Sequence, residues 1–482
     1  MFIKEPLWTS AELGAMCGGL NARPWYADGV QTDSREVMPG DLFVALKGEF
    51  EDGHSYLADA FARGAVAALV SESVDGFDLG DTRLVHVADT LESLRLMAAE
   101  ARRRAPAKII AVTGSAGKTS VVHALRKSLE RVDSTHASIK SYNNHVGVPL
   151  SLARMTRTSR FGIFELGMSG PGQIRHNTTL VRPHVAVVTG VGAAHTEAFS
   201  NVEAIAGAKA EIFEGLVDGG VAVINIDHPY AHTLVELAKK TGHEVVTVSV
   251  TGDADVRPLR MTEHHNCTCL TAEIAGTPIT YKIGQAGREW VQNSLLVLAA
   301  VKAAGGDLGH AAMALAALEA EPGRGRTHTL KLPYAQATLL DDSYNANSLS
   351  MKAALRRLSL VPLSQFGRRI AVLADMRELG DEAKAVYQTL AKDIEKFGVS
   401  KIYSFGPEIT NVAKRAGVDV VACNSVAEGV NQLVNDLRDG DAVMVKGANS
   451  AGLTKFVELL LEQNNQEIRE DATRVAGVAN AL

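Results

Sequence analysis

The run Ile109 to Ser120, IIAVTGSAGKTS, constrains this chain more than any other stretch. A short apolar strand enters a turn containing Gly114 and Gly117, and Lys118 and Thr119 then open what reads as a helix. Backbone N–H groups in such a turn and at a helix start point at phosphate oxygens, a lysine adds a mobile positive charge, and a threonine hydroxyl can ligate Mg²⁺. The sequence thus predicts a phosphate cradle formed by Gly114, Ser115, Ala116, Gly117, Lys118, Thr119 and Ser120, and an ATP or GTP user. The loop is shorter than the usual GxxxxGK[ST] form, with Val112 where the first glycine would stand. An ordinary strand-to-helix turn with a solvated lysine stays open as the alternative for this run alone.

A chain of 482 residues exceeds what one core organises, and breaks in pattern suggest three domains. The arginine-rich helix ending near Arg104 and the following Ala105-Pro106 close the first (1–106), and the segment Glu321 to Thr327, EPGRGRT, reads as a hinge between the second (107–322) and third (323–482). The net charge of −6 comes with no basic run, so no nucleic-acid partner is expected. No apolar stretch approaches the ~20 residues that span a bilayer, and the opening MFIKEPLWTSAEL lacks signal-peptide features, so the expectation is a cytoplasmic protein that is not membrane-embedded. Cys17, Cys267, Cys269 and Cys423 are too scattered for a disulfide framework. His264, His265, Cys267 and Cys269 could ligate zinc, but alternation through MTEHHNCTCLTAEI reads as a strand instead.

In the middle segment the apolar runs FGIFELG, HVAVVTGVG and VAVINID alternate with helical stretches, the pattern of a parallel sheet buried on both faces. Ligands of such sheets sit at the carboxyl ends of the strands. Glu165 closes one strand and could share a Mg²⁺ with Thr119. His195 follows another and Lys209 lies on the next helix; each alone also reads as a buried histidine or a solvated lysine. Asn143 and Asn144 lie in a loop whose amides could hold a polar ligand, although such loops are commonly just turns. ATLLDDSY, RIAVLADM, KIYSFG and AVMVKGAN give the third segment a doubly wound α/β pattern, and YLADAFARGAVAALV in the first reads as helical.

Taken together, these strings resemble the Mur ligase family, and within it the branch that joins D-alanyl-D-alanine to UDP-N-acetylmuramoyl-tripeptide. The resemblance runs from about residue 30 to about 455. It rests on TDSR (Thr32–Arg35), GDLFVALKG and DGH, then TGSAGKTS, YNNHVGVP, FELGM, AKAEI and NIDHP, then GR (Gly325, Arg326), DDSYNAN (Asp341–Asn347), AVLADMRELG and VKG. It implies a three-domain α/β protein: a small UDP-sugar domain, a central parallel-sheet ATPase domain and a Rossmann-like third domain for the incoming amine. By the same resemblance, Lys118, His195 and Lys209 are catalytic; Thr119 and Glu165 hold one Mg²⁺, and His195 with a carbamylated Lys209 supports a second. Asn293, Arg326 and Asp342 reach ATP, and Ser34, Arg35, Asn143, Asn144, Asn345 and Asn347 face substrates. The implied enzyme is a monomer acting on small molecules.

The implied chemistry is physically coherent. A carboxylate becomes an amide only after its oxygen is made a leaving group, so ATP phosphorylates it and an amine attacks the acyl phosphate. Departures from the family pattern fall near the nucleotide and the amine: Ser169 and Gln173 in GMSGPGQI, the pair Glu289-Trp290, Ser348 after DDSYNAN, and Asn449. A ligase joining a different carboxylate and amine, and a non-catalytic nucleotide-binding homologue, therefore stand as alternatives.

Overall fold

Three parallel-stranded sheets, each with its own apolar core, follow one another along the chain. The computed structural model describes residues 5–464 apart from 19–22, 49–50, 79, 139–141, 193–197, 200, 265 and 333. In the first part, strands Gly29–Gln31, Asp41–Val44, Ala67–Val70 and Leu84–His86 pair in that order, all parallel. The expected long helix through Ala67–Val70 is instead a helix, Leu57–Ala62, and a strand. Gly64 at φ +102° ends the helix, and the fully buried Ala-Ala-Leu-Val run is better served as a central strand covered on both faces.

Helix Thr90–Arg104 leads into the second part. Asp89 caps its start by accepting from the Glu92 N–H at 2.9 Å, and it stops two residues before Pro106, as the bias against α conformation before proline favours. Its last residue stacks a guanidinium 3.9 Å from the Trp8 ring. Met97 and Ala101 of this helix share one apolar cluster with Leu150 and Ala153 of helix Gly147–Ala153, so the first and middle parts are joined by a common core.

The middle sheet has nine strands, running spatially from Thr277–Ile283 through Thr268–Ile274, Val256–Glu263, Glu244–Val248, Val221–Asn225, Val185–Val188, Lys108–Thr113 and Phe161–Glu165 to Thr135–Ala137. All but the antiparallel hairpin strands at one edge are parallel. The stretch around Cys267 is thus two strands, with the His264 N–H bonded to the Cys267 carbonyl across the turn at 2.9 Å. Register fixes the site: Val112 lies opposite Glu165 and Thr113 opposite Val188, so the phosphate loop, Glu165 and Thr189 leave the sheet at one level.

In the third part, Arg326–Leu332 pairs antiparallel with Ala335–Asp341, which continues through Ala442–Lys446, Arg369–Ala374, Lys401–Phe405 and Asp419–Ala422 as a parallel sheet. No helix among the described residues is long and apolar enough to cross a membrane.

Candidate functional site

Helix Lys118–Leu129 begins without a side-chain cap, behind Gly117 in the left-handed conformation at φ +84°. Its first N–H groups are left for a ligand, and the positive end of the helix dipole points the same way. The loop ahead of it is rigidly held. The Thr189 hydroxyl donates to the Ala116 carbonyl at 2.5 Å, the Ser115 hydroxyl donates to the Gly192 carbonyl at 3.0 Å, and the Lys118 ammonium folds back on the Gly114 carbonyl at 2.8 Å. Gly114 leaves no room for a side chain, because a Cβ there would stand 1.9 Å from the Thr189 hydroxyl oxygen.

Glu165, almost completely buried, receives two hydrogen bonds: the Thr119 hydroxyl donates at 2.8 Å and the Asn143 amide at 2.7 Å. These are oxygen-rich, hard donors of the kind Mg²⁺ prefers, and they stand beside the phosphate cradle. Among the described residues no three carboxylates, histidines or cysteines gather into a metal cage. Asn144 accepts from the Val146 N–H at 3.2 Å and the Gly147 N–H at 2.8 Å, at the start of helix Gly147–Ala153. Next to them, Tyr142 donates to Glu36 at 3.2 Å, so one loop links the TDSR segment of the first domain to Glu165.

Lys209, on helix Val202–Ala210, is buried, and burial followed by the nearby charge of Lys118 holds its amine well below the ordinary lysine range. Burial also lowers Lys118; Glu165 opposes the shift, and Arg324 adds to it. The amines of Lys118 and Lys209 and the guanidinium of Arg324 thus act on one another near the loop. His195, expected beside Lys209, lies outside the described residues.

The third domain reaches the loop directly. Asn347 caps helix Ser348–Leu360 with its side-chain oxygen and donates its amide to the Ser115 carbonyl at 3.0 Å. Asp342 pairs with the buried Lys446 at 2.9 Å, and the same ammonium bonds the Asn345 carbonyl at 2.9 Å. Asn293 faces the other flank, its amide oxygen 3.0 Å from where a Cβ on Gly117 would stand. Ser34 is buried in the first domain, while Arg35 is exposed and paired with Asp33 at 2.7 Å.

Three family models match in chain order: the Mur ligase family catalytic domain over residues 27–100, the Mur ligase middle domain over 112–301, and the Mur ligase glutamate ligase domain over 325–449. The UDP-N-acetylmuramoyl-tripeptide–D-alanyl-D-alanine ligase of Escherichia coli K12 is 33% identical over 437 residues, which is 90% of this chain and 94% of the relative. The chain belongs to the Mur ligase family. The enzyme of the same name from Synechocystis is 31% identical over 90% of this chain and 92% of its own length. Among solved structures, a MurF from Acinetobacter baumannii superposes with a TM-score of 0.82 at 27% identity, covering 94% of this chain and 99% of that one.

In this Mur ligase the two arginines of the EPGRGRT segment have different surroundings. Arg326 starts the edge strand, pairs with Glu319 at 3.5 Å and lines a cavity of about 480 Å³ between the middle and third domains. Arg324 is the arginine whose charge Lys118 feels, and it stacks 4.0 Å from the Tyr344 ring of DDSYNAN. The buried Asp341 sets this turn, its carboxylate accepting from the Gly323 N–H at 2.7 Å and its carbonyl from the Gly325 N–H at 2.7 Å. Two Gly-Arg pairs in four consecutive residues read alike in the sequence, apart from the proline before the first.

Proposed function

We propose that this chain adds D-alanyl-D-alanine to UDP-N-acetylmuramoyl-tripeptide, consuming ATP, as an acid–amino-acid ligase of peptidoglycan precursor synthesis. The observation that carries this reading is the meeting of the uncapped helix start, Lys118, and the Thr119–Glu165–Asn143 triad at one strand edge, with Asn347 of the third domain bonded to the loop. The loop N–H groups and Lys118 bind the ATP phosphates. Arg324 comes at them from the hinge, and its charge balances the approach of a carboxylate to a triphosphate. A carboxylate oxygen attacks the γ-phosphorus and ADP leaves. The amine then attacks the carbonyl carbon, phosphate departs with one former carboxylate oxygen, and the amine loses a proton. Thr119 and Glu165 would hold Mg²⁺, which when bound offsets the phosphate charge.

Lys209 is proposed to carry a carbamate. Its depressed basicity favours the neutral amine, the form that reacts with CO₂, and the product places an anion beside the Lys118 ammonium. The first domain, with Ser34 and Arg35, takes the UDP-sugar, and the third takes the amine near Asn345 and Asn347. Cytoplasmic action follows from the need for ATP. Phosphate release from MgATP should require both UDP-N-acetylmuramoyl-tripeptide and D-alanyl-D-alanine and yield a pentapeptide by mass; release with another amine but none with the dipeptide would assign a different amide ligase.

A further inference from the structure

One pair of side chains ties the phosphate-loop helix to the hinge. His123 lies one turn beyond Thr119 on the same face of helix Lys118–Leu129, and its Nδ1 is 3.4 Å from a carboxylate oxygen of Glu321. Glu321 opens the turn that carries Arg324: the Arg324 N–H bonds the Glu321 carbonyl at 3.0 Å. Arg324 then continues onto Tyr344 of the third domain, 4.0 Å from its ring. We propose that Glu321, anchored by His123, is a positioning residue that holds Arg324 against the phosphate loop before nucleotide arrives.

The physical need is clear from the charges. Arg324 and Lys118 are like charges near enough to repel, and the charge of Arg324 helps to lower the Lys118 amine. A carboxylate on the hinge side offsets Arg324 without entering the phosphate cradle. Burial would raise the Glu321 carboxyl, but the His123 imidazole beside it and the charges of Arg324 and Arg126 outweigh that, so it stays below its ordinary range and ionised. His123 and Arg126 come from the phosphate-loop helix and Arg324 from the hinge, so the carboxylate registers one element against the other. This role rests on the nucleotide reading of the loop given above.

The test is steady-state kinetics on the full chain for Glu321→Gln, His123→Phe, His123→Gln, Arg324→Ala and the double variant Glu321→Gln/Arg324→Ala, with circular dichroism to confirm folding. Losing one charge-assisted contact to a binding group corresponds to about tenfold, so Glu321→Gln and His123→Phe should raise the KM for MgATP by about that factor while the KM values of the other substrates hold. His123→Gln, which keeps an N–H donor, should recover most of the effect. In the Arg324→Ala background, Glu321→Gln should change nothing further, because the group it positions is gone. Multiplicative effects in the double variant, or a Glu321→Gln enzyme with unchanged KM for MgATP, would overturn the proposal while leaving the ligase reading intact. Unchanged ATP kinetics in Arg324→Ala would remove both this role and the arginine's place at the phosphates, and wild-type protein without ATP turnover would remove the ligase reading together with it.

Discussion

Glu289 lies in the first turn of helix Arg288–Ala303, one turn before Asn293. Burial pushes its carboxyl up to about 7, Asp342 adds to the rise, and Arg357 and Arg356 oppose it. Moving a carboxyl from 4.5 to about 7 makes its charged form roughly 3–4 kcal/mol less favourable in the folded chain than in the unfolded one. The side chain keeps partial access to water, so roughly 1–2 kcal/mol is the realistic expectation. The sign follows from the raised value: the contribution is fully present below pH 4 and is lost as pH rises through 7. Because Arg357, Arg356 and Asp342 belong to the third domain, the loss should fall on the contact between the middle and third domains. Urea unfolding of wild type and Glu289→Gln at pH 5, 7 and 9 measures it, with the phase that reports third-domain separation followed by limited proteolysis at the hinge. Wild type should weaken between pH 5 and 9 relative to Glu289→Gln, whose neutral amide cannot ionise. Identical pH dependence in the two proteins would refute the reasoning.

Lys118→Ala should lower turnover by at least about a thousandfold with the fold retained, since it removes a preorganised charge from the transferring phosphoryl group; near-normal rates in a phosphate-release assay would take Lys118 out of the mechanism. Lys209→Ala should lose activity that Lys209→Arg does not restore, and ¹³CO₂ should give a carbamate signal by NMR in wild type that disappears in the variant; wild-type rates after Lys209→Ala would end the carbamate proposal. Gly117→Ala places a side chain on a φ of +84° with its Cβ 3.0 Å from the Asn293 amide oxygen, a backbone penalty of about 1–2 kcal/mol. Nucleotide affinity measured by calorimetry should fall about tenfold or more, and an unchanged affinity would mean the loop does not bind phosphate in this conformation.

The parallel sheets were legible because their strands are fully buried and read as unbroken apolar runs, IIAVT, FGIFE and VAVV among them. The strand–turn–helix form of the loop was legible because its glycines, lysine and threonine lie within one turn and need no distant partner. Glu165 could be inferred from its place at a strand end, but its bonds to Thr119 and Asn143 depend on register, which the sequence does not state. Ala67–Val70 misled because a short Ala-rich run satisfies helix and buried strand alike, and Gly64 decides between them only through its backbone angle. The surroundings of Arg324 and Arg326 depend on a turn held by Asp341, eighteen residues from Gly323, and a long-range carboxylate leaves no trace in local spacing.

The path of one oxygen atom tests the acyl-phosphate route most directly. If the site assembles an acyl phosphate, a substrate whose acceptor carboxylate carries ¹⁸O should deliver one labelled oxygen to each phosphate released, read by mass spectrometry under single-turnover conditions. Unlabelled phosphate accompanied by pentapeptide product would contradict the account, because the amide would then have formed without the carboxylate oxygen ever leaving on phosphorus.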